Sequence, residues 1–185
     1  MVPPHKYLIG DLVEICDERN DLGLLTLNDV RGISTDKQFI NTKANMDGVS
    51  LDSYKVVQKR VFAYVPDTSR RGDKIAIAFN TEDNPILISS IYTTFRCKTN
   101  NLVFPEYLFM FFNRPEFDRY ARFNSWGSAR ETFSWEDFCD TPITLPSIDI
   151  QKHFASLYVA YSKCSFGTLA KDLCPILIKG SLQEP

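Results

Sequence analysis

The sequence predicts a mixed α/β domain (α+β, with mixed or antiparallel strands and a few helices) followed by a C-terminal helix that packs on another helix. Short segments of alternating apolar residues fill most of the first hundred positions, whereas helical patterns follow Pro105. From Asp149 onward, apolar residues recur at steps of four and three, the spacing of a helix that packs lengthwise. A chain of 185 residues with 44% apolar side chains suffices for one domain with a buried core.

The strands are predicted from alternating apolar residues bounded by turn-forming residues. Residues 7–15 form a short opening element, and residues 67–73, rich in Ser, Arg and Gly, form a loop. The predicted strands cover residues 24–30, 60–66, 74–79, 85–95 and 141–145.

The helices are predicted from proline and capping residues. Pro105 suits the first position of a helix over residues 105–113, and Pro115 ends it before a further helical turn or two. Residues 124–132 are a polar loop. Ser134 is the predicted N-cap of a helix over residues 135–139, with Asp137 as its capping partner.

The C-terminal helix carries an apolar seam about two heptads long. Because the seam is short, a surface helix lying on its own domain explains it as well as packing against a second helix does. Gly167 and Pro175 limit the helix, and residues 180–185 are predicted to fray. The seam residues are Ile150, Phe154, Leu157, Tyr161 and Cys164.

Composition restricts the class of protein. Lys and Arg total 21 against 23 Asp and Glu, so any nucleic-acid surface must be a local patch rather than a wholly basic face. The 14 Phe residues are expected mainly in the core. Five scattered cysteines lack metal-ligand spacing, and their odd number does not suit a disulfide framework. With no signal segment and no apolar run near the ~20 residues that span a bilayer, we expect a cytoplasmic protein.

The sequence predicts no enzyme, no cofactor and no metal site. His5 and His153 are the two histidines, and no nucleophile–base set can be assembled from them. The eight glycines are spread singly, so no phosphate-binding loop is present. The Asn/Asp-Pro-Pro-aromatic motif of amino-methyltransferases is also missing.

Basic residues occur in two loops that also contain Ser, Asn or Gly. These loops cover residues 67–72 and 124–130. Arginine can bridge guanine or phosphate oxygens bidentately, and small polar residues allow the backbone to approach DNA closely. An ordinary solvated surface fits the same composition.

An ordered series of short segments resembles the target-recognition domain of Type I restriction–modification specificity subunits. The series runs along nearly the whole chain as far as the last helix. It comprises residues 7–14, 54–57, 62–66, 89–95, 107–108, 127–130 and 145–151.

The resemblance implies a DNA target-recognition domain over residues 1–147, a spacer and dimerisation helix over 148–174, and a tail over 175–185. In this family two such domains stand in tandem, joined by two antiparallel helices, and each reads half of a split DNA target. Modification subunits dock on the helices, and methyl transfer and ATP-driven cleavage belong to other subunits.

This sequence departs from the family pattern in several ways. It has one recognition domain, and its final helix is shorter than the usual spacer helices, so it resembles a half-subunit or a truncated product. Val65 stands where many relatives carry Asn. Residues 58–60 replace a turn that often contains Gly.

Three hypotheses remain open. The first is a specificity half-subunit that pairs with a second copy or another specificity chain and directs a DNA-adenine methyltransferase, with its restriction partner, to double-stranded DNA. The second is a decoy that keeps the fold and binds the modification subunit without reading DNA. The third is the detached recognition part of a fused restriction–methylation enzyme.

Several candidate residues follow for DNA contact. Arg130 could instead pin its loop through a buried carboxylate, and Gly127 is expected to serve the turn. Trp126 could wedge into DNA, but we expect it to cap the core. The candidates are Arg70, Arg71, Ser125, Ser128 and Arg130, with Lys43, Asn45 and Lys55 as further ones.

Overall fold

The computed structural model describes residues 4–42, 46, 48–69, 72, 74–99 and 101–163, with the backbone alone for 161–163. A short 3-10 helix, Leu27–Asp29, precedes β3. The other elements, in chain order, are β1 (His5–Leu8), α1 (Ile9–Leu12), β2 (Val13–Ile15), β3 (Arg31–Ile33), β4 (Phe39–Asn41), β5 (Lys55–Val57), β6 (Phe62–Tyr64), β7 (Ile77–Phe79), β8 (Ile86–Ile88), β9 (Thr93–Cys97), α2 (Pro105–Phe112), α3 (Pro115–Phe123), α4 (Trp135–Cys139), β10 (Pro142–Leu145) and α5 (Ile148–Lys163).

The predicted mixed α/β class is confirmed. In the described part of the chain, one four-stranded sheet has the order β2-β9-β6-β7, and the pairs β1–β10, β3–β4 and β5–β8 form small ribbons. Each of these pairings is antiparallel. The chain returns to its start at β10, which pairs with β1 and so closes the domain before α5.

Strand β6 separates two apolar clusters because successive side chains point to opposite faces of a sheet. Phe62 and Tyr64 lie in the larger cluster beneath α2, α3 and α4, whereas Ala63 and Val65 lie in a smaller one. The Phe62 ring stacks on Phe79 at 4.4 Å between centroids and on Phe95 at 4.9 Å. Much of the Phe content is therefore core, as expected.

Local signals set the helix starts as predicted. Pro105 and Pro115 occupy the first turns of α2 and α3, where a missing N–H breaks no helical hydrogen bond. Ser134 Oγ accepts a hydrogen bond from the Asp137 N–H at 3.0 Å, which confirms the predicted N-cap of α4.

Two strand predictions are wrong. Residues 24–30 form no strand, because Thr26 and Asp29 make a capping box around the 3-10 helix: the Thr26 N–H donates to Asp29 Oδ2 at 2.8 Å. Residues 85–95 form two strands, β8 and β9, because a turn in which the Tyr92 N–H donates to the Ser89 carbonyl at 3.1 Å separates them.

None of the helices in the described ranges is long and apolar enough to cross a membrane.

Candidate nucleic-acid interface

The two basic loops start at residues 67 and 124, and their described parts lie side by side. Asp67 and Thr132 form a β-bridge between them. The Thr68 N–H donates to the Glu131 carbonyl at 2.9 Å, and the Phe133 N–H donates to the Pro66 carbonyl at 2.9 Å. We call residues 66–69, 72 and 74 together with residues 124–132 the loop pair. The backbone thus joins the start of the first sequence-predicted segment to the end of the polar loop that contains the second.

The loop pair lies at one end of the four-stranded sheet. The first loop connects β6 to β7, and the second follows α3 and leads into α4. The turn between β3 and β4 reaches the first loop, since Lys74 Nζ forms an ion pair with Asp36 at 3.4 Å. Three separate parts of the chain therefore meet at this end of the domain.

Hydrogen bonds hold the backbone of the second loop. Asn124 Nδ2 donates to the Tyr120 carbonyl at 2.9 Å, and Trp126 and Thr132 exchange backbone hydrogen bonds at 3.0 and 2.9 Å. Arg122 and Glu131 add an ion pair across the loop. The loop therefore presents its side chains from a defined backbone.

Gly127 serves the turn, as expected. Its φ is +138°, a region that L side chains rarely adopt. A Cβ atom added there would lie 2.1 Å from the Arg130 carbonyl oxygen. This approach of two backbone segments requires glycine.

The loop exposes Trp126, so the prediction that this side chain caps the core is wrong. Trp126 is 62% exposed, and Phe123, the last residue of α3, is 79% exposed. Trp135 packs on the core instead, stacked on Phe138 at 5.3 Å between ring centroids. Trp126 lies on the same surface loop as Arg130, and Phe123 immediately precedes that loop.

The described candidates differ in how far their side chains are engaged. Arg130 and Ser128 are exposed, and Arg130 makes no side-chain hydrogen bond or ion pair with another described residue. Ser125 Oγ donates to the Ala121 carbonyl at 2.6 Å, which closes the end of α3. Lys55 is 12% exposed in its side chain and pairs with Asp17 at 3.0 Å. Four candidates, Arg70, Arg71, Lys43 and Asn45, lie outside the described residues.

Residue Asp17 holds two cations rather than one. Hydrogen bonds from Arg19 and Lys55 lower the pKa of the Asp17 carboxyl below its ordinary value. The Lys55 ammonium is thus engaged within the domain, and Arg130 is the better placed of the two for an external anion.

A buried ion pair that the sequence did not reveal lies behind the loop pair. Lys37 is 5% exposed and donates to Asp118 Oδ1 at 2.6 Å and to the Phe112 carbonyl at 2.5 Å. Asp118 Oδ1 also accepts the Ile75 N–H at 3.1 Å. The pair therefore ties the β3–β4 turn, α3 and the segment entering β7 together.

Burial lowers the pKa of the Lys37 ammonium, and the Asp118 charge opposes this effect. Lys37 also has a positive φ of 62°, uncommon for a residue with a side chain. The polar run of residues 34–38 indicates only an exposed turn, so no local sequence signal predicts the Lys37–Asp118 ion pair.

In the part of the chain that the structure describes, no three His, Cys, Asp or Glu side chains come close enough to hold a metal ion. Burial raises the pKa of the Cys97 thiol to about 12, so this thiol stays protonated at neutral pH.

The chain was compared with known proteins. No protein-family model matches it, and no curated protein sequence does. Solved structures do match. The S subunit of the Type I restriction–modification system from M. genitalium aligns over 88% of this chain with a TM-score of 0.52 and 10% identity. The HsdS subunit from Thermoanaerobacter tengcongensis aligns over 86% with a TM-score of 0.58 and 18% identity.

A chain from a structure of the Type I restriction–modification system aligns over 97% of this chain, with a TM-score of 0.51 and 10% identity. The chain has the fold of a Type I S-subunit recognition domain. It spans about two fifths of the length of these structures, at 40%, 42% and 44% of their chains.

In this S-subunit fold, α5 is fastened to the domain through Gln151. The fully buried Gln151 side chain accepts the Phe104 N–H at 2.9 Å and donates to the Leu102 and Pro146 carbonyls at 3.0 and 2.9 Å. Ala155 is buried on the same helix face. The start of α5 therefore has a defined direction relative to the domain.

The predicted seam lies partly beside that face. Ile150 and Leu157 are half-buried, whereas Phe154 packs against the core of its own domain, as a surface helix would. The Tyr161 side chain and Cys164 lie outside the described residues. A helix partner for the seam and the domain bounds 1–147, 148–174 and 175–185 stay predictions.

Proposed function

We propose that this chain is the DNA-reading part of a Type I restriction–modification specificity subunit and that it acts as a half-subunit. One observation carries the proposal: within a recognition-domain fold, the loop pair brings together the two basic segments that the sequence predicts for DNA contact. A DNA-specificity role in this family accounts both for the recognition-domain fold and for the adjacent basic segments.

The chemistry of the loop pair suits nucleic acid. Arg130 has no carboxylate partner among the described residues, and it follows Ser128 by two residues in a tight turn. A guanidinium can bridge two phosphate oxygens or the O6 and N7 atoms of guanine, while a nearby serine can donate to either group. Arg70 and Arg71, which follow Ser69 in the sequence, would add further cations.

The proposed partners follow from the S-subunit fold. We propose that α5 pairs with the α5 of a second copy, or with another specificity chain, through Ile150 and Leu157. The pair directs a DNA-adenine methyltransferase subunit and its restriction partner to a split target. The chain itself supplies no catalytic group in this proposal. Because a symmetric dimer has two-fold symmetry, it reads an interrupted palindrome.

The test is methylation mapping by single-molecule sequencing in a host that expresses this chain with its neighbouring modification subunit. The expected result is a split palindromic motif that disappears when this chain is omitted. An asymmetric split motif assigns the second half to another specificity chain. If no motif appears although the two proteins form a stable complex, the chain is a decoy.

A salt titration of binding to a duplex of the mapped motif provides a second measurement. If a DNA-reading surface contacts Z phosphates, log K falls with log salt with a slope of about −0.9Z. A decoy shows no measurable binding in the same titration. With no mapped motif, a random-sequence duplex at low salt serves as the probe.

A further inference from the structure

We propose that Trp126 is a DNA-contacting residue that packs its indole against a base step of the duplex, with Phe123 as a second aromatic contact. The inference rests on the proposed function and extends it, because it assigns an apolar, base-directed contact beside the ionic contact of Arg130.

Both rings leave apolar surface in water, and a partner that covered them would gain the free energy of burying it. A buried Trp or Phe side chain commonly removes about 150–250 Å² from water, and such groups dominate the energetics of cores and interfaces. Here both rings stay mostly in solvent although Trp135, nine residues after Trp126, lies on the core.

The exposure of Trp126 does not come from a loose backbone. Its N–H and carbonyl both form hydrogen bonds with Thr132, and the adjacent Gly127 closes against the Arg130 carbonyl. A side chain on such a backbone reaches its partner with little further ordering, which favours tight binding.

The flanking charges favour nucleic acid over a protein surface as the partner. Three arginines lie within seven residues of Trp126. Two of them form ion pairs, Arg122 with Glu131 and Arg119 with Glu116. Arg130 has no such partner among the described residues. An exposed apolar ring and an exposed guanidinium on one loop suit a duplex, which offers both flat bases and phosphates.

The proposed contact has a physical precedent in DNA-binding proteins generally. Apolar side chains can insert at a base step and partly unstack it. The free-energy cost of unstacking is offset by the additional protein–DNA contacts that the distorted duplex allows. Such contact releases no counterions. The aromatic contact therefore changes affinity without changing its salt dependence, which separates it from the contact of Arg130.

The first measurement is tryptophan fluorescence during titration with a duplex that carries the mapped motif. The chain has two tryptophans, and Trp126→Phe leaves Trp135 alone. Stacking of the indole on a base quenches its emission. We expect a quench in the unmodified chain that is lost in Trp126→Phe, and DNA should shield the unmodified chain from iodide.

The second measurement is affinity. We expect Trp126→Ala to bind the duplex roughly ten-fold more weakly, about 1.4 kcal/mol, with an unchanged salt slope and an unchanged Tm. Trp126→Phe should recover part of the loss, since it keeps an aromatic ring. Leu22→Ala is the matched control, because Leu22 is an 82% exposed apolar residue outside the loop pair, and it should leave affinity unchanged.

Three outcomes overturn the inference. If the unmodified chain binds DNA with a steep salt slope but Trp126→Ala binds equally well and no quench occurs, the aromatic contact is wrong while the proposed function survives. If the modification subunit shields Trp126 from iodide and DNA does not, the ring belongs to a protein interface. If the chain binds no duplex at all, the proposed function fails and this contact with it.

Discussion

The stretch over residues 123–132, from the last residue of α3 through the second loop, exposes its aromatic side chains, whereas the segment 133–139 directly after it packs all of its own into the core. Phe123 and Trp126 point into solvent. Phe133 and Phe138 are fully buried, and Trp135 stacks on Phe138. The two stretches are neighbours in sequence and contain the same types of ring.

The difference does not reflect order against disorder, because both backbones are hydrogen-bonded. The Ser134 cap holds the second segment, and the bridge between Trp126 and Thr132 holds the first. What differs is the covering structure. Phe138 lies against rings from β6, β9, α2 and α3, whereas no described element covers Trp126. The comparison indicates that the first stretch is built for contact and the second for stability.

The largest effect that sharpens this comparison comes from truncating one ring in each stretch. Phe138→Ala should lower the free energy of unfolding by about 3–5 kcal/mol, because it leaves a cavity among several rings. Phe123→Ala should change it by less than about 0.5 kcal/mol. Urea unfolding followed by circular dichroism measures both free energies of unfolding. Equal losses would contradict the proposal that residues 123–132 serve contact and residues 133–139 serve stability.

A second prediction concerns the ion pairs behind and within the loop pair. Lys37→Met should cost roughly 3 kcal/mol, the low end for a broken buried pair, since Asp118 keeps the hydrogen bond from the Ile75 N–H. Arg122→Met should cost about 0–1 kcal/mol, because the Arg122–Glu131 pair is partly solvated. Thermal and urea unfolding of the two variants provide the comparison, and a larger loss in Arg122→Met contradicts it.

Gly127→Ala tests the backbone of the loop directly. The added Cβ would clash with the Arg130 carbonyl at an unfavourable φ, so we expect a cost of about 1–3 kcal/mol. DNA affinity should fall with it, because Trp126 and Arg130 flank the turn. Gly72→Ala is the control, since its φ is also positive but a Cβ there meets nothing within 4 Å. If both variants lose the same stability, the positive φ of Gly127 is the cause, and the clash of the added Cβ with the Arg130 carbonyl is not.

The smallest expected effect on stability is that of Arg130→Ala. Its Tm should stay that of the unmodified chain, because the side chain bonds to no other described residue, while the slope of log K against log salt should shrink by about 0.9 if it meets one phosphate. Arg96→Ala, which removes an exposed arginine paired with Glu14, serves as the control for DNA binding. A large drop in Tm would instead give Arg130 a structural role.

Local signals allowed much of the fold to be predicted from the sequence. Alternation along β6 indicated a strand, because side-chain direction in a strand depends on position alone. Pro105 and Ser134 marked helix starts, because their effects act within one turn. Local patterns failed where two of them competed, as at Thr26, where a capping box overrode an apolar run that suggested a strand.

The site was predicted only in part. Both basic loops were found as candidates from composition, and Gly127 as the turn residue from its type. The engagement of Ser125 and Lys55 within the domain could not be foreseen, because it depends on Ala121 and Asp17 lying within hydrogen-bonding distance in space.

The sequence by itself determined the mixed α/β class, the helix starts and the family resemblance, because each of these depends on residues close together or on their order along the chain. Only the tertiary structure decided that the two basic loops are neighbours, that Lys37 is buried against Asp118, and that Trp126 faces solvent while Trp135 faces the core. The physical reason is common to all three. Burial and pairing depend on which distant segments pack against a residue, and the type of that residue does not specify those segments.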